Sequence, residues 1–264
     1  MAINRQQLNT IKDFGKQWQE YTHNKGFYAS LEALESLCSP LMKNSDIKNK
    51  IIADVGAGTG RYTLMFYKAG AKKIIALEPS GAYDVLLKNT SGIDEIKCLK
   101  KRADEISGNE FDLVFCIGVL QFIPDPLQAL KAMRRTLTKK GKLFLWVYSK
   151  ENNQLYISMV LSLRKLTTRL PHAALKMFTY ILLPLAEIYA LASGSFKLPM
   201  ADYMINYFLK VDRYTRRLII HDQLNPSYVK YYKGSELKGL LEDCGFKDIK
   251  MHHRMGYSWS VLAS

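Results

Sequence analysis

Residues 51–64 read IIADVGAGTGRYTL. A short apolar run meets an aspartate, then glycines at 56, 58 and 60, then a segment with helical character. Glycines there let the chain turn sharply and let a ligand touch bare backbone. A dinucleotide loop spaces its glycines G-x-G-x-x-G and seats a pyrophosphate on the helix N-terminus. Here the third glycine comes one residue too early, and the carboxylate of Asp54 stands just before the loop. That charge repels a pyrophosphate and suits a cation. The stretch therefore predicts a strand–loop–helix site better matched to an amino-acid-bearing sulfonium than to NAD.

The pattern repeats on either side. Apolar runs at 51–55, 73–77, 96–100, 111–117 and 142–148 read as strands. Helix-like segments at 60–69, 81–90 and 125–138 lie between them, with Gly70, Gly92 and Gly141 where helices end. Strands alternating with helices imply a parallel sheet with right-handed crossovers, an α/β, Rossmann-like architecture. An amphipathic helix is expected over 3–23, with Leu8, Ile11, Phe14 and Trp18 on one face, followed by a second helical stretch. Residues 151–225 hold no strand pattern until LII at 218–220 and read as an inserted helical lid. A short helix at 235–244, stopped by Gly245, then precedes two more strands, FKDIKMHH and YSWSVLA. The expected division is a helical cap over 1–44, a core over 45–150, the lid over 151–225 and the rest of the core sheet over 226–264.

Composition bounds the function. The chain has 264 residues, 48% of them hydrophobic, enough for a large core. Its net charge of +14 invites acidic partners, but the excess is scattered along the chain rather than gathered in a tract. Four cysteines, at 38, 98, 116 and 244, show no metal spacing, so no metal is expected and nothing demands an oxidising compartment. The polar N-terminal residues lack a secretion signal's apolar segment, and the expectation is a cytoplasmic protein. The greasiest stretch, residues 175–193, contains Lys176, Pro184 and Glu187, which argues against a spanning helix.

Five segments, ADVGAGTGRYT (53–63), ALEPS (76–80), RADEIS (102–107), FDLVFCIGVLQFIPDP (111–126) and LTKKGKLFLWVY (137–148), occur together and in register. In these the chain resembles the class I S-adenosylmethionine-dependent methyltransferases. The resemblance implies S-adenosyl-L-methionine as cofactor. It implies that Asp54, Gly56 and Gly58 approach its methionine part and that Glu78, followed by Pro79, holds the ribose. Ala103 and Asp104 would face the adenine, Ile117 and Gly118 the methionine side, and Arg61 the carboxylate. FGKQWQEY (14–21) is similar to an FGxxW segment of a bacterial subgroup associated with glycan and secondary-metabolite pathways, and implies that Trp18 closes over the cofactor.

Methyl transfer requires an aligned nucleophile, and a hydroxyl nucleophile usually requires a base. The candidates are His221 and Asp222, with Gln121 beside the fourth strand as a substrate-orienting group; His252 and His253 are weaker ones. Tyr228, Tyr231 and Tyr232 are candidate substrate-binding residues. The expected activity is methyl transfer to a small molecule or glycoconjugate at oxygen. The alternatives are a lipid-linked acceptor at a membrane surface, a nucleic-acid acceptor, and a non-catalytic cofactor-binding module. Nucleic acid is disfavoured because no Asn/Asp-Pro-Pro-aromatic motif follows the fourth strand; Asn225-Pro226-Ser227-Tyr228 lies far from it. A monomer or homodimer is expected, with peripheral membrane contact as a variant.

Overall fold

The computed structural model describes residues 5–108, 111–196 and 198–264. Seven strands form one sheet in the order β3-β2-β1-β4-β5-β7-β6. Strands β1 (Ile51–Val55), β2 (Lys73–Leu77), β3 (Ile96–Leu99), β4 (Phe111–Ile117) and β5 (Leu137–Tyr148) are parallel. Strand β7 (Ser258–Ala263) runs antiparallel to β5, and β6 (Lys250–Arg254) antiparallel to β7. The central strands are buried on both faces. Ala53, Val55, Val114, Cys116, Leu143 and Leu145 enter one core. Ile52, Leu113, Phe115, Ile117 and Phe144 enter the other. This is the near-continuous apolar pattern of a parallel sheet covered on both sides.

Strand order reverses between β1 and β4, and ligands of such sheets bind in the crevice at the carboxyl ends of the strands beside that reversal. Gly56 and Gly118 stand at those two ends, both with positive φ (76° and 72°). A Cβ on Gly56 would come within 2.3 Å of Val119 Cγ2, so the two strand ends meet more closely there than any side chain allows.

The N-terminal helix α1 (Arg5–Glu20) crosses this crevice. It does not behave as an ordinary core-facing amphipathic helix. Leu8 is exposed, while Ile11, Phe14 and Trp18 face the cavity. The FGxxW segment follows from that crossing. Phe14 packs edge-on against Phe122 at 4.6 Å, and Gly15 abuts the backbone of Gly81, where a Cβ would stand 2.8 Å from its nitrogen. Trp18 lies against Gly58. Helix α2 (Leu31–Cys38) opens on Ser30, whose side chain accepts from Ala33 N, and buries Leu34 and Leu37.

Helices α3 (Arg61–Lys68), α4 (Tyr83–Asn89) and α5 (Pro126–Thr136) are the crossovers. The region after β5 is helical: α6 (Gln154–Thr167), α7 (His172–Phe196), α8 (Ala201–Asn206) and α9 (Arg213–Leu224). Two expectations are corrected. Leu218, Ile219 and Ile220 lie inside α9, not in a strand. Asp212 caps that helix by accepting from Thr215 N at 2.7 Å, and Thr215, Leu218 and His221 form its buried face at helical spacing. Strand β5 begins at Leu137 rather than 142, because Leu137 pairs with Phe111 across an irregularity at which Gly141 closes on the Phe111 carbonyl. Helix α10 (Gly234–Asp243) precedes Gly245, whose φ of 82° ends it. All four cysteines are free.

Candidate active site

The crevice holds a cavity of about 290 Å³, bounded by the strand ends below and by α1, α6, α8 and α9 above. It has two chambers by chemistry. The first is lined by the glycine loop, Glu78, Pro79, Ser80, Ala103 and the Ile117–Gly118–Val119 turn, with Phe14 and Trp18 as its roof. The loop is held from behind. Asn24 and Asn89 both donate to the Thr59 carbonyl, at 3.2 and 2.8 Å, and Thr59 Oγ1 donates to Asn24 Oδ1.

Glu78 is the fixed point of this chamber. Its Oε2 accepts from Gly58 N at 2.9 Å and its Oε1 from Ser80 N at 2.8 Å. A carboxylate has about four lone-pair positions, so two remain for a vicinal diol such as a ribose. Burial raises the Glu78 pKa, and the bonds from Ser80 and Gly58 pull the other way. Asp54 is also buried. Its Oδ2 accepts from Thr63 Oγ1 at 2.6 Å. Burial pushes its pKa to about 6, with the Glu78 charge adding to the rise and Thr63 and Arg61 opposing it. Two buried carboxylates without an ion-pair partner make a field that a cationic ligand relieves. The bare loop, the diol-ready Glu78 and this negative field fit S-adenosylmethionine.

The second chamber is walled by tyrosine. Half of the chain's 16 tyrosines line the cavity, among them Tyr28, Tyr62, Tyr148, Tyr203 and Tyr231. Arg61 sits 3.9 Å from the ring centres of both Tyr28 and Tyr62, and its Nη1 donates to Tyr207 Oη at 3.3 Å. Arg254 is held by Ser36 and Tyr257. Asp222, on α9, also reaches this cavity. Gln17 Nε2 donates to its Oδ1 and Tyr148 Oη to its Oδ2, each at 3.1 Å. Tyr148 in turn accepts from Gln223 Nε2 at 2.8 Å, and Tyr156 donates to Gln223 Oε1 at 2.9 Å. This network ties α1, β5, α6 and α9 around one carboxylate. Burial raises the Asp222 pKa, while Gln17, Tyr148, Arg164 and Arg61 oppose the rise.

The structure brings Trp18, Gly56, Gly58, Arg61, Glu78, Pro79, Ala103, Ile117, Gly118, Asp222 and Tyr231 to the cavity wall. Other candidates stand elsewhere. His221 shares α9 with Asp222 but projects from a different side of it, against Tyr21 and His172. It is fully buried, neither ring nitrogen has a partner, and desolvation drives its pKa down to about 3. It is a core histidine. Gln121 is fully buried in the turn after Gly118, its amide without a partner, and does not line the cavity. Asp54 acts on the cavity only through its charge, being off the wall. Asp104 is also off the wall, its carboxylate gripped by Arg102 Nε and Nη2 at 2.9 and 2.8 Å. Tyr232 belongs to the core beneath the sheet, and Tyr228 is half-buried outside the lining. His253 stacks on Trp259 and bonds Ser149 Oγ behind the cavity wall, without lining it. Gln17, Tyr148, Arg254 and most of the tyrosine wall escaped the sequence reading. The tyrosine count was the wall's only signal, and Gln17 and Arg254 had none. Among the described residues no cluster of ligating side chains fits a metal ion.

Comparison with known proteins agrees with this geometry. Residues 53–145 match the family model described as a methyltransferase domain. The tRNA U34 carboxymethyltransferase of Campylobacter lari is 28% identical over 149 residues, which cover 49% of this chain and 50% of that protein. The chain spans about half the length, or less, of the curated relatives it matches. Among solved structures, the DhpI–SAM–HEP complex superposes with a TM-score of 0.59 at 11% identity, covering all of both chains. Magnesium protoporphyrin IX methyltransferase from Synechocystis PCC 6803, with bound SAM, gives 0.55 at 12% identity, over 99% of this chain and 97% of that one. Residues 53–145 thus form a methyltransferase domain, within a chain that has the class I S-adenosylmethionine-dependent methyltransferase fold.

Proposed function

We propose that this enzyme methylates a small, planar, hydroxylated acceptor at oxygen, in the tyrosine-walled chamber, with Asp222 as the base. The observation that carries the reading is Asp222 itself, buried at the chamber wall and held by Gln17 and Tyr148. Aromatic walls favour flat apolar bodies through offset and edge-to-face packing. Arg61 and Arg254 supply positive charge for an acidic substituent.

Glu78 would hold the ribose of S-adenosylmethionine and the glycine loop its methionine part, with Trp18 closing above. Bound there, the sulfonium supplies an electrophilic methyl group. The protein's own task is alignment and water exclusion, which the α1 roof performs. Asp222, as carboxylate, takes the acceptor's hydroxyl proton, and burial already favours the acid so formed. An acceptor from glycan or secondary metabolism, suggested by the FGxxW segment, belongs to this reading.

A second reading is favoured by the relatives' names and the +14 charge: an acceptor within tRNA. Incubation with labelled S-adenosylmethionine and either a panel of phenolic and carboxylated small molecules or tRNA transcripts separates the two. Label in small molecules, lost in Asp222→Asn, supports the first. Label confined to tRNA overturns it.

A further inference from the structure

Of the 15 large apolar residues that are exposed among the described residues, eleven lie on α6 and α7. On α7 they form a continuous stripe. Met177, Ile181, Leu185, Ile188 and Leu191 recur at helical spacing, each 60–68% exposed. The opposite stripe, Leu175, Thr179, Leu183, Ala190 and Ser193, is buried. The helix is thus inside out. Its charges are on the protein side and paired there: Lys176 with Glu20 at 3.5 Å, and Glu187 with Arg216 and Arg213 at 2.9 and 3.0 Å. Neither charged side chain of α7 interrupts the stripe, Lys176 being half-exposed at its edge and turned to Glu20.

Helix α7 is the one helix among the described residues long and apolar enough to cross a membrane. Crossing would require breaking those ion pairs and stripping its buried stripe from α9 and α8. An orientation along the surface requires neither. Helices that lie in a bilayer interface have this form, with an apolar face toward the acyl chains and basic residues at the margin. The margin is present. Lys165 and Arg169, both exposed, stand at the end of α6 where it turns into α7, next to exposed Leu166. A protein partner is a poorer match. Specific interfaces carry about one hydrogen bond per 100–200 Å², and between Ala173 and Leu191 the exposed side chains offer only the Tyr180 hydroxyl. A fluid hydrocarbon surface needs no such groups.

We propose that α7 and the exposed end of α6 dock the protein on an anionic lipid surface, the helix lying in the plane of the bilayer. The proposal stands independently of the acceptor. The test is co-sedimentation of the full chain with phosphatidylcholine vesicles, with or without phosphatidylglycerol. The wild type is expected to sediment with the mixed vesicles and much less with phosphatidylcholine alone. The triple variant Ile181→Ser/Leu185→Ser/Ile188→Ser changes only exposed side chains and is expected to lose at least about tenfold in vesicle affinity. Lys165→Gln/Arg169→Gln should cost about 25-fold on mixed vesicles and little on neutral ones. S-adenosylmethionine binding by the variants, unchanged, shows that they fold. Absence of wild-type sedimentation overturns the proposal, as does sedimentation of the triple variant equal to wild type. A discrete dimer in sedimentation velocity, dissolved by the triple variant, would also overturn it and assign the face to a second copy.

Discussion

Replacing Asp54 by asparagine separates what this carboxylate does for the fold from what it does for the ligand. Its pKa stands at about 6 instead of 3.8, chiefly because it is buried. A raised acid contributes stability that is fully present below pH 3.8 and is lost as the pH rises through 6. The loss saturates at about 3 kcal/mol. Asparagine can still accept the Thr63 hydroxyl bond, but it brings an amide that must be housed at a cost of about 1 kcal/mol. That cost does not depend on pH. The variant should therefore be about 1 kcal/mol less stable than wild type at pH 3.5 and about 2 kcal/mol more stable at pH 8. For a chain this long the pH 8 gain corresponds to a rise of roughly 4–8 °C in Tm. Thermal unfolding followed by circular dichroism at the two pH values checks it. Calorimetry on the same variant should show S-adenosylmethionine binding weakened by about tenfold or more, since a buried negative charge facing a cation has been removed. A stability difference independent of pH would refute the account of Asp54 as a desolvated carboxylate. Unchanged binding would refute its role in the site's negative field.

Asp222→Asn should lower kcat by about 10²–10⁴ while leaving S-adenosylmethionine affinity within about twofold, read by turnover and calorimetry. Tyr148→Phe removes a donor that favours the Asp222 carboxylate, so the rising limb of the pH–rate profile should move to higher pH. His221→Phe should leave turnover intact; because burial depresses the histidine's pKa from 6.5 to about 3, wild-type stability falls as the pH drops through that window, and the variant should be spared this loss in acid unfolding curves. Gly56→Ala should destabilise by about 1–3 kcal/mol in denaturant titrations, since its φ is 76° and its Cβ would strike Val119.

The sheet and the cofactor chamber were legible because both are local. Each parallel strand announces itself by its own apolar run, and the glycine loop, Glu78 and Gly118 lie at the ends of those runs. Where local reading failed, longer-range packing had decided. Ile219 and Ile220 favour strand by type, yet a capped helix whose neighbours absorb its apolar face overrides that preference. Leu137 and Gly141 became strand because Phe111 was there to pair with.

The tyrosine-walled chamber was illegible for a related reason, and the reason bears on the proposed chemistry. Tyr28, Tyr62, Tyr148, Tyr203 and Tyr257 come from five separate segments, and even where a segment carries a motif, as around Tyr62 and Tyr148, the motif does not single out the tyrosine. His221 and Asp222 are adjacent in sequence, but successive residues on a helix point about 100° apart, so burial among Tyr21 and His172 for one means access to the cavity for the other. Spacing could nominate the pair; only the helix's rotation could choose between them. Gln17 fixes that rotation from α1: it donates to Asp222 and accepts from Asn225 at 2.9 Å, so the helix that crosses the glycine loop also holds the proposed base. On the proposed mechanism, cofactor closure and base alignment share one element, and a variant that loosens α1 should lose both together.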